Sequence, residues 1–261
     1  MKIYKFNSVF DHVEKTLIEY FDKNTSFDNV VFVLGYNVLS NLAFLRTQYP
    51  KYKLIVIQLE QLHKESIWVN KRSYSILKSA DEIWDYDYNN IKWMQENYKL
   101  KAKFFPMLYT NALKTMKPVN EVNPDIDVLF YGYTNERRAK LFYSMQHKFS
   151  SKIRFFNLYG VWGTELDDYI SRSKIILNVH TNEIARQEQV RIYHPVINGR
   201  CVLSEKSDYN YMGNSILECS YGDMLNLTLD LLKTDKWKQL ASSCEQSFKA
   251  ISAKHQEKLG F

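Results

Sequence analysis

Hydrophobic and polar positions alternate along the chain in two ways. Short apolar runs, typical of buried strands, are separated by longer stretches whose apolar residues recur at helical spacing. This alternation predicts βα units on a parallel sheet. Predicted strands of the first half lie at residues 30–34, 54–57, 82–84 and 104–105, with predicted helices at 37–47, 68–78 and 89–97. Asp87 or Asn89 could cap the last of these helices, because their side chains accept from first-turn amides.

A polar stretch at residues 114–125 holds two of the five prolines and predicts a linker. A second series follows, with predicted strands at 127–130, 153–156, 174–179 and 201–203, and predicted helices at 136–147, 165–171 and 187–197. Pro195 is expected to kink the last helix or to end it early, and Gly199 fits its C-cap. The closing residues, 224–258, predict one or two amphipathic helices.

The two series predict an α/β protein with two Rossmann-like domains that face each other across a cleft. The expected boundaries are residues 1–115 for the first domain, 124–235 for the second and 236–261 for a C-terminal helix. Ligands of open α/β sheets bind outside the carboxyl ends of the strands, so two substrates could meet in such a cleft. The fold alone names no reaction.

Composition narrows the class of protein. Hydrophobic residues make up 45% and charged residues 25%, which indicates a globular chain rather than a disordered one. The net charge of +6 is scattered without a basic run, so no nucleic-acid partner is predicted. The positive balance suits an anionic small substrate or an anionic membrane surface equally well. Cys201, Cys219 and Cys244 lack CxxC spacing, which predicts neither a disulfide framework nor a zinc site.

The ends of the chain bear on location. The first residues lack the apolar core of a signal peptide, and no apolar run approaches transmembrane length, which predicts a cytoplasmic protein. Trp237 lies among lysines at residues 233–238 and could contact anionic lipid at the inner face of a membrane. The alternative is a solvated helix start with Thr234 or Asp235 as its cap. The oligomeric state is left open by the sequence.

The sharpest local pattern begins the second series. A buried strand ends at Gly132, and a helix is expected to begin near Asn135. Helix N-termini favour anions, and Arg137 or Arg138 could add a bidentate phosphate contact. The competing interpretation is a pair of solvated surface arginines that oppose the helix dipole.

A second pattern places polar residues after the strand at 174–179. Asn178 and His180 lie at its end, and Glu188 and Arg191, three positions apart, share a helical face. One hypothesis is that Glu188 binds ribose hydroxyls and Arg191 binds a phosphate. The other is an ordinary surface ion pair worth a few tenths of a kcal/mol.

In the first series, Gln58, Glu60 and Gln61 follow the strand at 54–57. Glu60 could deprotonate an acceptor hydroxyl if desolvation raises its pKa, or it could simply cap the next element. His63 and His180 are the other candidate bases. Trp84 and Asp85, at the end of the next strand, could lie on the acceptor side or pack at the domain interface.

Several familiar motifs are missing from the sequence. GxGxxG, GxxxxGK[ST], GxSxG and HExxH do not occur. Residues 85–87 match the letters of a DxD motif, but a lone DxD is weak evidence for a metal. The sequence therefore predicts no catalytic metal and no cofactor besides the substrates.

Six segments in order resemble bacterial and viral GT-B glycosyltransferases of the broad group-1 type, over about residues 30–220. They are QLEQL (58–62), IWDYDYNNI (83–91), DVLFYGYTNERR (127–138), SKIILNVH (173–180), EQVRI (188–192) and CVLSE (201–205). The aromatic residue expected immediately before Glu188 is missing. The first half is also short for this family.

The resemblance implies a UDP- or GDP-linked sugar donor held by the second domain and a glycan or glycoconjugate acceptor held by the first. Residues 132–138 would meet the diphosphate, Asn178 and His180 would line the donor pocket, and Glu205 would lie near the sugar or base. Residues 236–261 would brace the first domain. On the acceptor side the implied residues are Gln58, Gln61, Trp84 and Asp85, with Glu60 as the base of an inverting reaction.

Two other functions remain open. A degenerate GT-B fold could bind a nucleotide or glycan without turnover. A sugar-nucleotide epimerase with two Rossmann-like domains fits the architecture as well, but the segments at 127–138 and 188–192 lack the glycine fingerprint expected of it.

Overall fold

Two compact units make up the chain, Met1–Met107 and Leu108–Phe261. The computed structural model describes residues 1–149 and 152–259. Residues 114–125, predicted as a linker, and the C-terminal helix both belong to the second unit. Within the described residues, no helix is long and apolar enough to cross a membrane.

The first unit is built on a parallel sheet of five strands in the order β1-β2-β3-β4-β5. The strands are β1 (Lys2–Lys5), β2 (Val30–Leu34), β3 (Lys53–Gln58), β4 (Glu82–Asp85) and β5 (Lys103–Phe104). The helices are α1 (Asp11–Phe21), α2 (Ala43–Gln48), α3 (Lys71–Ser79) and α4 (Tyr88–Asn97). Every residue of β2 is buried, which explains why this strand is an unbroken apolar run.

Side-chain caps fix where two helices of this unit, α3 and α4, begin. The side chain of Asp87 accepts from the amide of Asn90, which confirms Asp87 as the cap of α4. Asn70 caps α3 in the same way through the amide of Ser73. Predicted helix 68–78 therefore starts three residues later than expected, at Lys71.

The second unit contains a second parallel sheet of five strands, in the order β10-β9-β8-β6-β7. The strands are β6 (Ile126–Tyr131), β7 (Phe155–Leu158), β8 (Ser173–Asn178), β9 (Cys201–Glu205) and β10 (Leu217–Cys219). The helices are α5 (Glu136–Phe149), α6 (Gly163–Ser171), α7 (Gln189–Ile197), α8 (Met224–Lys233) and α9 (Lys236–Leu259). The predicted α/β class with two parallel, Rossmann-like sheets is confirmed.

Strand order in the second sheet reverses next to β6. The chain runs from β6 outward to β7, then crosses back to β8 on the other side of β6, and continues to β9 and β10. Such a reversal opens a crevice at the carboxyl ends of the two strands that flank it, β6 and β8. The candidate residues of the second unit follow these strands.

Pro195 does not end α7 early, because the helix continues to Ile197. Proline has no amide hydrogen, so the carbonyl four residues earlier, that of Arg191, loses its helical donor. The hydroxyl of Tyr131, the last residue of β6, donates to this carbonyl at 2.6 Å. A side chain of the sheet thus replaces the missing helical hydrogen bond and ties α7 to β6.

Removing the Tyr131 hydroxyl is expected to destabilise the protein through this carbonyl. Tyr131→Phe leaves a buried acceptor unsatisfied, which costs about 1–3 kcal/mol of unfolding free energy. In a Pro195→Ala background the restored amide can donate to the Arg191 carbonyl, so the same substitution should cost less. Urea unfolding of the four proteins in this double-mutant cycle measures the difference. An equal cost in both backgrounds would contradict this account.

Candidate functional site

The loops after β6, β8 and β9 bring the predicted residues of the second unit to the carboxyl edge of its sheet. Gly132 follows β6, His180 follows β8, and Glu205 ends β9. Glu188 is the N-cap residue of α7, which places Arg191 in the first turn of that helix. The edge therefore collects polar and charged side chains from four segments of the chain.

Gly132 allows an arginine to approach the main chain. Its φ of 129° lies in a region that side chains rarely adopt. A Cβ atom at this position would lie 3.0 Å from Nη2 of Arg191. The amide of Gly132 donates to the carbonyl of Leu158 at 2.9 Å, which fixes the loop against β7. The backbone conformation therefore favours glycine here, and a larger residue would also press against the guanidinium of Arg191.

Arg138 is fully buried and organises the site from within. Its Nε donates to the Val179 carbonyl at 2.7 Å, and its Nη1 donates to the Tyr133 carbonyl at 2.6 Å. Nη2 pairs with the carboxylate of Glu188 at 3.0 Å. Burial lowers the pKa of Arg138 to about 10. Each nitrogen of this guanidinium has an internal acceptor, so it holds the loops after β6 and β8 together.

Arg191 shares the same carboxylate but lies at the surface of the cluster. Its Nη1 contacts Glu188 and donates to Oδ1 of Asn178 at 3.0 Å. The Glu188 and Arg191 side chains are 14% and 18% exposed, so this is not an ordinary surface ion pair. Among the described residues no hydrogen bond uses Nη2, the atom beside Gly132. Arg191 therefore has a donor left for an anion.

Arg137 forms a second ion pair at this edge, with Glu205. Both terminal nitrogens contact the carboxylate, and Nη1 also donates to the His180 carbonyl at 3.0 Å. The guanidinium stacks on the ring of Tyr221, 4.0 Å from its centroid. Glu205 raises the pKa of Arg137. Neither Arg137 nor Arg138 is the solvated surface arginine of the competing interpretation.

The remaining predicted residues link these ion pairs into one network. Asn135 caps α5 by accepting from the Arg138 amide at 3.1 Å. Asn178 donates to the hydroxyl of Ser204 at 3.0 Å. The His180 amide donates to Glu205 at 3.0 Å, and its imidazole is buried. All of the predicted donor-side residues therefore lie at the same edge of the second sheet.

Two tyrosines at this edge were not among the predicted site residues. Tyr131 bonds the Arg191 carbonyl, and the Tyr221 hydroxyl donates to the Arg137 carbonyl at 2.7 Å. Tyr131 ends a predicted strand and could have been suspected. Tyr221 follows β10, a strand of three residues that the sequence does not predict because it contains no apolar run.

Glu60 lies just beyond β3 in the first unit and is partly buried. The side-chain amide of Asn37 donates from Nδ2 to Oε1 of Glu60 at 3.0 Å. Burial raises the pKa of Glu60 from 4.5 to about 7, and the hydrogen bond from Asn37 opposes this rise. A carboxyl group with such a pKa exchanges protons near neutral pH, as a general base must.

The predicted acceptor-side residues differ in exposure. Gln58 and Asp85 are fully buried, and Nε2 of Gln58 donates to Oδ2 of Asp85 at 3.0 Å. Trp84 is buried against Phe21 and Phe32 and donates from its indole to Glu82. Gln61 and the other candidate base of this unit, His63, are partly buried. A direct contact between the acceptor and Gln58, Trp84 or Asp85 therefore stays a prediction.

The raised pKa of Glu60 predicts a pH-dependent stability. Between its unfolded value of 4.5 and its folded value of about 7, the folded state binds more protons, so stability falls as pH rises. Glu60→Gln should remove this fall and gain up to about 3 kcal/mol relative to the wild type above pH ~7. Urea unfolding from pH ~4 to ~8 measures the difference. Parallel stability curves for the two proteins would refute the raised pKa.

Comparisons with known proteins identify the fold. No family model matches the chain, and no curated protein matches its sequence. An Anabaena protein, HepE, solved with UDP and glucose, aligns over 89% of this chain and 77% of its own, with 11% identity and a TM-score of 0.57. The family of the chain is therefore not fixed by sequence similarity.

Two further solved structures give the same result. An α-glucosyltransferase solved with UDP and a DNA fragment covers 97% of this chain and 83% of its own, at 12% identity and a TM-score of 0.57. A UDP-forming α,α-trehalose-phosphate synthase from Burkholderia xenovorans covers 96% and 77%, at 10% identity and a TM-score of 0.56. The predicted fold class, GT-B, is confirmed by this similarity, which at such identities concerns the fold alone.

Proposed function

We propose that the chain is a glycosyltransferase that transfers a sugar from a UDP- or GDP-linked donor to a glycan or glycoconjugate, without a metal ion. The second unit binds the donor and the first unit binds the acceptor. The observation that carries the proposal is the guanidinium of Arg191, which lies beside Gly132 with one terminal nitrogen left for an anion. The GT-B fold shared with proteins solved with UDP supports it.

The charge of the cluster favours a diphosphate. Arg138 and Arg191 share the single carboxylate of Glu188, so the three groups together carry a net positive charge. The site lies at the switch point of the sheet. A partly desolvated positive charge stabilises the leaving nucleotide diphosphate as negative charge develops on it.

Glu188 can bind ribose while it holds both arginines. A carboxylate offers about four acceptor positions on its two oxygens. Arg138 contacts both oxygens of Glu188, and Arg191 contacts one of them. An acceptor position therefore remains for a ribose hydroxyl, which would place the nucleoside next to the diphosphate at Arg191.

The role of Glu60 follows from its pKa. In an inverting reaction its carboxylate takes the proton of the acceptor hydroxyl, whose oxygen bonds to the anomeric carbon while the bond from that carbon to the diphosphate breaks. A pKa of about 7 leaves a large ionised fraction at neutral pH and still makes the group a useful base. In a retaining reaction Glu60 would position the acceptor instead.

Nucleotide binding tests the donor site. A ligand at a hundred times its dissociation constant stabilises the folded state by about 2.7 kcal/mol. We expect one of UDP, GDP, CMP, dTDP or their sugars to raise the melting temperature in the presence of EDTA. The shift should be lost in Arg191→Ala and kept in Arg154→Ala, whose half-exposed side chain precedes β7 at the opposite edge of the sheet. Equal shifts in both variants, or none in the wild type, would overturn the donor site.

Turnover tests the base. With the donor found above, Glu60→Gln should lower kcat by about a hundred-fold or more, because the proton acceptor is lost while the shape of the side chain is kept. The affinity for the nucleotide should be unchanged. Glu65→Gln, at an exposed position five residues along, is the control. Near-normal kcat in Glu60→Gln would exclude the base. Nucleotide binding without any turnover would favour a degenerate GT-B fold that binds a nucleotide or glycan only.

A further inference from the structure

Buried side chains hold both polar groups of the Glu60 main chain. The amide of Glu60 donates to Oε1 of Gln58 at 2.7 Å. The carbonyl of Glu60 accepts from Nε2 of Gln58 at 2.6 Å and from Nδ2 of Asn90 at 2.8 Å. Gln58 and Asn90 are fully buried, whereas Glu60 is partly buried. The main chain at Glu60 is therefore fixed although it lies in a loop.

Asp85 determines which way the two amides point. Its Oδ2 accepts from Nε2 of Gln58 at 3.0 Å, and its Oδ1 accepts from Nδ2 of Asn90 at 3.2 Å and from the Asp87 amide at 2.8 Å. Every group that faces the two oxygens of Asp85 is a donor, so both side-chain amides turn their nitrogens toward it. With its nitrogen so placed, Gln58 presents its oxygen to the Glu60 amide.

We propose that Asp85 is a positioning residue for Glu60 that acts through the side-chain amides of Gln58 and Asn90. The inference rests on the function proposed above for Glu60. Asp85 is fully buried, and three donors surround its carboxylate. Its effect therefore reaches Glu60 through the main chain, while Asn37 holds the carboxyl end of the same side chain.

Few charged groups surround the network of Gln58, Asp85 and Asn90. Burial raises the pKa of Asp85 well above its usual range, and its three donors oppose that rise. Tyr36, also fully buried, has its pKa raised by burial and by the negative charges of Glu60 and Asp85. Arg72 donates to the Asn37 carbonyl at 2.8 Å, and Asp87 adds a second carboxylate beside Asp85. The network thus keeps the Glu60 carboxyl group in a poorly solvated position with one neutral donor.

Asp85→Asn changes the network in a defined way. Every oxygen of Asp85 faces a donor, so the new amide nitrogen must meet another nitrogen. If it faces Gln58, that side chain has to flip, and the Glu60 amide then loses its acceptor. If it faces Asn90, a flip there removes the donor to the Glu60 carbonyl and the acceptor of the Leu62 amide. Each route that repairs the clash therefore removes at least one of the hydrogen bonds that hold the Glu60 main chain.

The pKa of Glu60, measured by carbon NMR titration of its carboxyl group and assigned with Glu60→Gln, tests the inference without turnover. In Asp85→Asn a released Glu60 gains solvation, so its pKa should fall by about one unit or more from 7 toward 4.5. Loss of the negative charge of Asp85 would also lower the pKa of Glu60. A second variant is needed to separate the two causes.

Asn90→Ala removes no charged side chain, and it removes the hydrogen bonds of Asn90 to the Glu60 carbonyl, to Asp85 and from the Leu62 amide. If Asp85 acts through the amides, the pKa of Glu60 should fall in this variant too. Asn97→Ala, at the exposed end of the same helix, is the control and should leave it unchanged. A fall in Asp85→Asn without a fall in Asn90→Ala would show a direct charge effect and overturn the inference, as would no change in either.

Turnover then separates this inference from the proposed function. With an active wild type, Asp85→Asn and Asn90→Ala should lower kcat by about ten-fold or more and shift the acidic limb of its pH profile to lower pH, with an unchanged KM for the donor. Unchanged kcat profiles would refute the positioning role alone. An inactive wild type would refute the transferase, while the NMR titration would still decide whether Asp85 positions Glu60. Should Asp85→Asn fail to fold, Asn90→Ala decides both measurements.

Discussion

The carboxylate of Glu188, shared by two guanidiniums, is the interaction on which the candidate donor site depends. Arg138 is buried, and an unpaired charge in its place would be strongly destabilising. Its remaining nitrogens fix the loops after β6 and β8, which place Gly132 and Asn178 around Arg191. Glu188 is also the N-cap residue of α7, so this helix begins at the ion pairs. Arg191 is partly exposed, but the hydrogen bonds and ion pairs that hold it are made within the protein and need no water.

The carboxyl edge of the second sheet and the surroundings of Glu60 in the first unit bury polar groups in different ways. At the carboxyl edge of the second sheet, charged side chains are paired with opposite charges, as in the pairs of Arg138 with Glu188 and Arg137 with Glu205. In the first unit the carboxyl groups of Glu60 and Asp85 are surrounded by neutral donors instead. Ion pairs keep their partners charged near neutral pH, whereas neutral donors in a buried site allow a carboxyl pKa to rise. The surroundings of Glu60 in the first unit therefore suit proton transfer. The carboxyl edge of the second sheet suits the binding of a ligand whose charge stays constant.

The sequence predicted those parts of the fold in which a local pattern and the final burial agree. β2 was predicted with its observed bounds because all of its positions are buried, and Asp87 was one of two predicted candidates for the cap of α4 because capping is local. β1 and β10 are short edge strands with few apolar residues, so no periodicity reveals them. The three-residue spacing of Glu188 and Arg191 predicted their contact. Arg138 meets Glu188 from fifty positions away, and only the sheet topology brings that pair together.

A base in a binding site must satisfy two conditions that oppose each other. Its carboxyl group needs poor solvation to have a useful pKa, yet the loop that carries it must stay ordered without water to satisfy its main chain. At Glu60 the second requirement is met entirely by Gln58 and Asn90, so the carboxyl group can keep a single neutral donor. A charged partner for Glu60 would have stabilised the loop more directly and would have lowered the pKa. The neutral amides, oriented by a carboxylate one strand away, provide order without that cost.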